Sequence, residues 1–220
     1  MRVFHECSSE GRGKGFAIVP RCLDEVMVER LCSCLSETTY SARNLLAVPI
    51  VRELASSTPV RALAEAVLGK TCFAVKGTFF NKTQEANWKV VWHQDRSIAV
   101  RERKDVSHFG AWSTKAGVPH VQSPASIMAK MLAIRLHLDE SNEDNGPLRV
   151  IPGSHKAGRL AAEEVVAWRE RPSVICTVPN GGAILMRPLL VHASSSCSKP
   201  EPPRVIHLEF AADELPDGLE

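Results

Sequence analysis

A chain of 220 residues that is 44% apolar is long enough to bury a core and too apolar to stay disordered. Its 27 basic and 25 acidic residues leave a net charge of +2, with no long basic run interleaved with aromatics, so a nucleic-acid surface is not indicated. No apolar stretch approaches the roughly 20 residues that span a bilayer, and Met1 to Gly15 lacks the apolar segment of a signal peptide, so a cytoplasmic protein with no membrane partner is expected.

In chain order, residues 1–70 read as helical. Leu23, Met27, Leu31, Cys34 and Leu35 recur at helical spacing. Residues two apart on a helix point in different directions, so Cys32 and Cys34 read as one buried thiol and one at its edge, not as a metal pair. The seven cysteines follow no regular framework and are expected to be reduced. Thr58-Pro59 reads as an N-cap with proline at the first helical position, and Gly69 closes that helix. From Thr71 the pattern turns to short β-rich runs: Thr71 to Phe80, Trp88 to Trp92, Ser126 to Leu138, Leu148 to Ile151, Ser173 to Val178, Ala183 to Met186 and Arg204 to Ala211. Asn145-Gly146-Pro147 and Pro179-Asn180-Gly181-Gly182 supply turns between them, and one helix, Ala161 to Arg171, interrupts the series. Arg96 to Pro124 fits no strand pattern and reads as a long lid or binding loop. Pro200 to Pro203 reads as a rigid surface turn. The expectation is a mainly β sandwich or barrel with N-terminal helices packed outside, forming one domain over 1–220 with its β core at 71–212.

Trp92-His93-Gln94-Asp95 ends a β run, and strand alternation puts His93 and Asp95 on one face. His192 follows far downstream in Leu190-Val191-His192-Ala193-Ser194. Two histidines and a carboxylate on one face of an octahedral ion leave three positions open, which is how non-haem Fe(II) oxygenases are built. Alone, H-x-D in a chain with 8 histidines reads equally well as a strand histidine beside an acid. Three further features favour the metal: Arg204 opens the next β run, where a hairpin return would bring a guanidinium to bind a carboxylate in bidentate fashion; Ser194 lies two residues past His192; and Asn145-Gly146-Pro147-Leu148-Arg149-Val150-Ile151-Pro152-Gly153-Ser154-His155 is a distinctive turn-strand-turn string.

Together these segments resemble the phytanoyl-CoA dioxygenase family of Fe(II)/2-oxoglutarate oxygenases, over about Thr71 to Ala211. The resemblance implies a double-stranded β-helix, Fe(II) held by His93, Asp95 and His192, and 2-oxoglutarate anchored at its far carboxylate by Arg204 and Ser194, with Asn81 at the cosubstrate's other end and O2 as the oxidant. It also gives His155 to the fold signature. The short chain weakens any transfer of an acyl-CoA substrate.

Arg135, His137 and Asp139 alternate with apolar residues, so they form either an outward solvated face or a barrel interior that binds an anionic group. His207 reads first as a satisfied barrel histidine. Trp112, Gln122, Lys115, His108 and His120 are candidates for substrate contact in the long segment. The function expected is hydroxylation of a small polar or anionic molecule, a preference resting on Lys89, Arg96, Lys115 and Arg135, with release of succinate and CO2. Desaturation or ring formation would use the same ligands. A non-catalytic β-helix protein that binds a small ligand or a metal is the alternative from a different class.

Overall fold

The computed structural model describes residues 13–36, 41–81, 89–196 and 203–219. β1 (Phe16–Val19) is followed by α1 (Glu25–Cys34), β2 (Ser41–Arg43), α2 (Pro49–Ser56) and α3 (Thr58–Leu68). The β-rich part then runs β3 (Phe73–Asn81), β4 (Val90–His93), β5 (Ser97–Ala99), β6 (Gly110–Lys115) and β7 (Val118–Gln122). After α4 (Ala125–Met128) come β8 (Met131–His137), β9 (Leu148–Val150), α5 (Ala162–Trp168), β10 (Val174–Cys176), β11 (Ala183–Met186), β12 (His192–Ser194) and β13 (Arg204–Ala211).

The strands form a major sheet, β1-β11-β8-β13-β3-β2, and a minor sheet, β10-β9-β12-β4. All pairings are antiparallel, and the two sheets make the double-stranded β-helix, a jelly-roll barrel. Alternation divides the major sheet. Leu132, Ile134, Leu136 and Leu138, with Ile206, Leu208 and Phe210, pack against Leu31, Val51, Leu54, Val60 and Leu63 of the three helices. The intervening residues, Arg135, His137, His207 and Glu209, lie on the opposite face, toward the minor sheet. Apolar residues close one part of that interior, where Leu148, Val150 and Cys176 meet Ile184, Met186 and Leu190.

The β runs expected at Ala183–Met186 and Arg204–Ala211 form with those bounds. Four expectations need correction. Residues 1–70 are not purely helical: β1 pairs with β11 and β2 with β3, adding both outer strands to the major sheet. The run from Ser126 divides into α4 and a strand that starts only at Met131. The segment 96–124 is a three-stranded sheet, β5-β7-β6, and not a loop. Its hairpin turns at Ala116-Gly117, both at positive φ, and Ala116 in that conformation carries none of the usual turn signal. The cap of α3 is Ser57, with Thr58 already helical. Trp88 and Pro200 to Pro202 lie outside the described residues, as does most of Met1 to Gly15. The described cysteines are free, with Cys32 half-buried and Cys34 exposed. Among the described residues no helix is long and apolar enough to cross a membrane.

Candidate metal centre

β4 and β12 are neighbours in the minor sheet, in a register that sets His192 opposite His93. Their ring centroids are 4.2 Å apart. Asp95 lies just beyond β4, with His93 Nε2 3.8 Å from Oδ1 and His192 Nε2 3.7 Å from Oδ2. One donor atom from each of the three residues lies within 4.8 Å of the others.

The histidine tautomers follow from their other contacts. His93 Nδ1 is 2.9 Å from the Val91 carbonyl and His192 Nδ1 is 2.8 Å from that of Leu190. A carbonyl only accepts, so each Nδ1 carries a proton and each ring turns its Nε2, the acceptor of the neutral imidazole, toward Asp95. This is the orientation that metal-ligating histidines take. Burial alone would raise the Asp95 carboxyl, but the charges of His192, His207, His93 and Lys76 outweigh it and hold the group down to about 2. Burial depresses His192 to about 4, against the opposing charge of Asp95. Neither donor is therefore blocked by a proton near neutrality. His192 is buried, whereas His93 and Asp95 are each about a third exposed, so the cluster is open on one side. Two imidazole nitrogens and one carboxylate with open positions fit Fe(II).

Sequence reasoning did not single out Gln94, the residue between His93 and Asp95. It is buried, donates from Nε2 to the carbonyls of Gly158 and Leu189, and accepts from Leu160 N–H. Asp95 N–H donates to the Pro188 carbonyl. The H-x-D turn is thereby tied to the turn that leads into His192. Ser154 works similarly from the other side: it donates to the Ile151 carbonyl and accepts from Val191 N–H. Part of the N-G-P to S-H string thus positions the distal histidine. Gln94→Ala is expected to weaken Fe(II) binding by on the order of ten- to a hundred-fold with the fold retained, because such outer contacts aim the ligands. An anaerobic Fe(II) titration beside a thermal melt checks this; unchanged iron affinity would remove Gln94 from that role.

The other expected site residues are not all brought to this cluster. The guanidinium of Arg204 is taken by Asp139, Nε to Oδ2 and Nη2 to Oδ1 both at 2.8 Å, and Asp139 also accepts from Arg204 N–H. Arg204 shares the face of Ile206, Leu208 and Phe210, and its charge acts on Cys32 of α1. Asn81 stands opposite Arg204 in the register. Ser194 is half-buried at the end of β12 and lines a cavity between the minor sheet and α5 with Trp92 and Arg149. Gln122 accepts from Arg159, and Trp112 packs on the Ile98 and Val121 cluster beneath Arg103. His155 lies outside the cluster, against Gly15, where an added Cβ would come within 2.2 Å of its ring. Arg135, His137 and His207 are in the interior. Lys115 lies near Lys76 and Arg43: burial, then their charges, hold its ammonium below the usual range.

A family model described as phytanoyl-CoA dioxygenase matches residues 34–201. No curated protein matches the chain by sequence. Among solved structures, EctD from S. alaskensis, determined with bound Fe, is 19% identical with a TM-score of 0.71, covering 93% of this chain and 75% of that one. The alpha-ketoglutarate-dependent epimerase SnoN of nogalamycin biosynthesis is 17% identical with a TM-score of 0.70, covering 99% of this chain and 91% of its own. The carbocyclase SnoK of the same biosynthesis is 14% identical with a TM-score of 0.72, covering 94% and 83%. At these identities the likeness is one of fold, which serves an epimerase in SnoN and a carbocyclase in SnoK.

Proposed function

Because this chain belongs to the phytanoyl-CoA dioxygenase family, we propose that it hydroxylates a small polar or anionic molecule at the His93, Asp95 and His192 centre, with release of succinate and CO2. Membership makes it an oxidoreductase of the 2-oxoglutarate-dependent dioxygenase class, with Fe(II), 2-oxoglutarate and O2 as its cofactors. The observation that carries the reading is the convergence of two imidazole Nε2 atoms, each with its Nδ1 turned to a backbone carbonyl, and one carboxylate from strands distant in sequence.

Iron(II) with 2-oxoglutarate and O2 supplies the oxidising power for an unactivated C–H bond. The chain's own residues hold and aim. His93, Asp95 and His192 would grip the ion from one side, and Gln94 and Ser154 keep the two ligand turns together. Ser194, two residues past His192, remains assigned to the cosubstrate. The preference for an anionic substrate is supported by Lys115, a cation on which the charges of Arg43 and Asp95 both act.

The test is anaerobic addition of 2-oxoglutarate to the Fe(II)-loaded protein, followed by a screen of amino-acid derivatives, small acids and phosphonates for substrate-stimulated succinate. A weak visible charge-transfer band and at least one stimulating compound are expected. Absence of the band at saturating 2-oxoglutarate would favour a ligand-binding protein without turnover.

A further inference from the structure

We infer that Arg135, in the barrel interior, and not Arg204, anchors the far carboxylate of 2-oxoglutarate. This rests on the oxygenase reading above and deepens it.

Arg204 already has a complete fork-to-fork partner in Asp139, reinforced by its own N–H. Turning to a cosubstrate would strip both charges of their hydrogen bonds. Its strand position also sets it on the helix side, with Ile206, Leu208 and Phe210.

Arg135 differs on each count. It pairs across β8 and β13 with His207, on the interior face. Its Nη1 is 3.3 Å from His207 Nδ1, and its guanidinium carbon is 5.3 Å from the Phe80 ring centroid. Its Nε is buried with no acceptor. Among the described residues no carboxylate lies within ion-pair distance of it, whereas its neighbours are already matched. Lys76 Nζ is 2.5 Å from Glu209 Oε1, and His207 Nε2 is 3.5 Å from the same oxygen. The contact with Glu209 places the His207 proton on Nε2, leaving the Nδ1 lone pair for Arg135. The chain Lys76, Glu209, His207, Arg135 thus orients the guanidinium while leaving most of its donors unused. His137, next along the same face, has both ring nitrogens buried without a partner. As a neutral imidazole it offers one further N–H.

Arg135 is half-buried with its Nε fully enclosed, and a guanidinium withdrawn from water with no counter-ion is costly unless an anion completes it. The charges of Asp95 and Arg135 act on one another, and His207, which pairs with Arg135 on the interior face, acts on Asp95 as well. A dicarboxylate whose 2-oxo acid end lies at His93, Asp95 and His192 would bring its other end here. The carboxylate of a substrate has the same chemistry, and the test separates the two.

The Fe(II)-loaded protein is titrated anaerobically with 2-oxoglutarate and with 2-oxobutyrate, which has the same 2-oxo acid head and no far carboxylate, by the charge-transfer absorption. Arg135→Gln is expected to weaken 2-oxoglutarate by tens- to thousands-fold, as when one partner of a shielded charge pair is lost, and to leave 2-oxobutyrate unchanged. Arg135→Lys should recover part of the loss, because a point charge cannot reproduce the fork. Arg204→Gln should cost less than Arg135→Gln. Retained 2-oxobutyrate binding shows that fold and iron survive. Unchanged 2-oxoglutarate affinity in Arg135→Gln would overturn the assignment and give the cation to the substrate. A loss confined to Arg204→Gln, or an equal loss of both acids in Arg135→Gln, would overturn it as well. No band with either acid in the wild-type protein would instead overturn the oxygenase reading, and the assignment with it.

Discussion

His192→Ala is expected to abolish iron binding and turnover while the barrel persists, and His93→Ala to do the same. The reason lies in how few donors the site has. In the proposed site three protein ligands would hold one side of the ion and leave the open side to cosubstrate and O2. Removing one imidazole leaves a two-point grip that cannot keep the open positions aimed. His192 is the more demanding of the two, since it is buried between β9 and β4, opposite both Val150 and His93. Its Nδ1 contact to Leu190 is lost with it, but the carbonyl belongs to a turn still held by Ser154 and Gln94. The measurement is Fe(II) affinity by anaerobic titration, succinate release with a stimulating compound, and a melt to show that the fold remains. Wild-type iron affinity in His192→Ala would remove it from the ligand set.

The metal-free protein is expected to lose stability as pH falls from about 6.5 toward 4, and His137 should carry much of that loss. Burial, then the charge of Arg135, depresses its imidazole to about 3, with Asp139 opposing. A folded value below the unfolded one means that only the unfolded chain takes up the proton across that window. Stability is therefore intact above the unfolded pKa of about 6.5 and falls as pH drops below it. Each such histidine removes about 2 kcal/mol between pH 7 and 5 by this linkage. His192, held at about 4, acts in the same direction when no metal is bound. Asp95, at about 2, contributes only at lower pH, because its stabilising charge is lost below its unfolded value of about 4. Urea unfolding at pH 7 and pH 5 in chelator, for wild type and His137→Leu, checks this. The variant should lose about 2 kcal/mol less on acidification. Equal losses in the two proteins would mean that His137 is not kept neutral by the fold.

Much of this protein is legible one residue at a time. The β runs at Ala183–Met186 and Arg204–Ala211 form as the β-branched and apolar pattern dictates, and β3 lies within two residues of its expected bounds. The H-x-D spacing, a later histidine in a β run and the N-G-P to S-H string point to the metal chemistry by themselves, because donor type and strand period are local properties. Other features depend on partners remote in sequence. Gln94 carries no signal of its own, since its bonds run to Gly158, Leu160 and Leu189. The sheet at 97–122 was hidden because an alanine, not a glycine or asparagine, takes the left-handed turn position beside Gly117.

The two arginines make the division clearest. Period-two alternation tells which residues of a strand share a face, but not which face turns inward. Arg204 looked suited to the cosubstrate from its place after His192, yet β13 pairs so that Ile206, Leu208 and Phe210 meet the helices, and Arg204 goes with them. In β8, the same alternation left Arg135 and His137 equally readable as a solvated face or as barrel lining. The sequence alone determined the candidate donor types, the strand parities and the family. Tertiary structure alone decided which parity was buried, because the helical layer covers one face of the major sheet and the minor sheet the other.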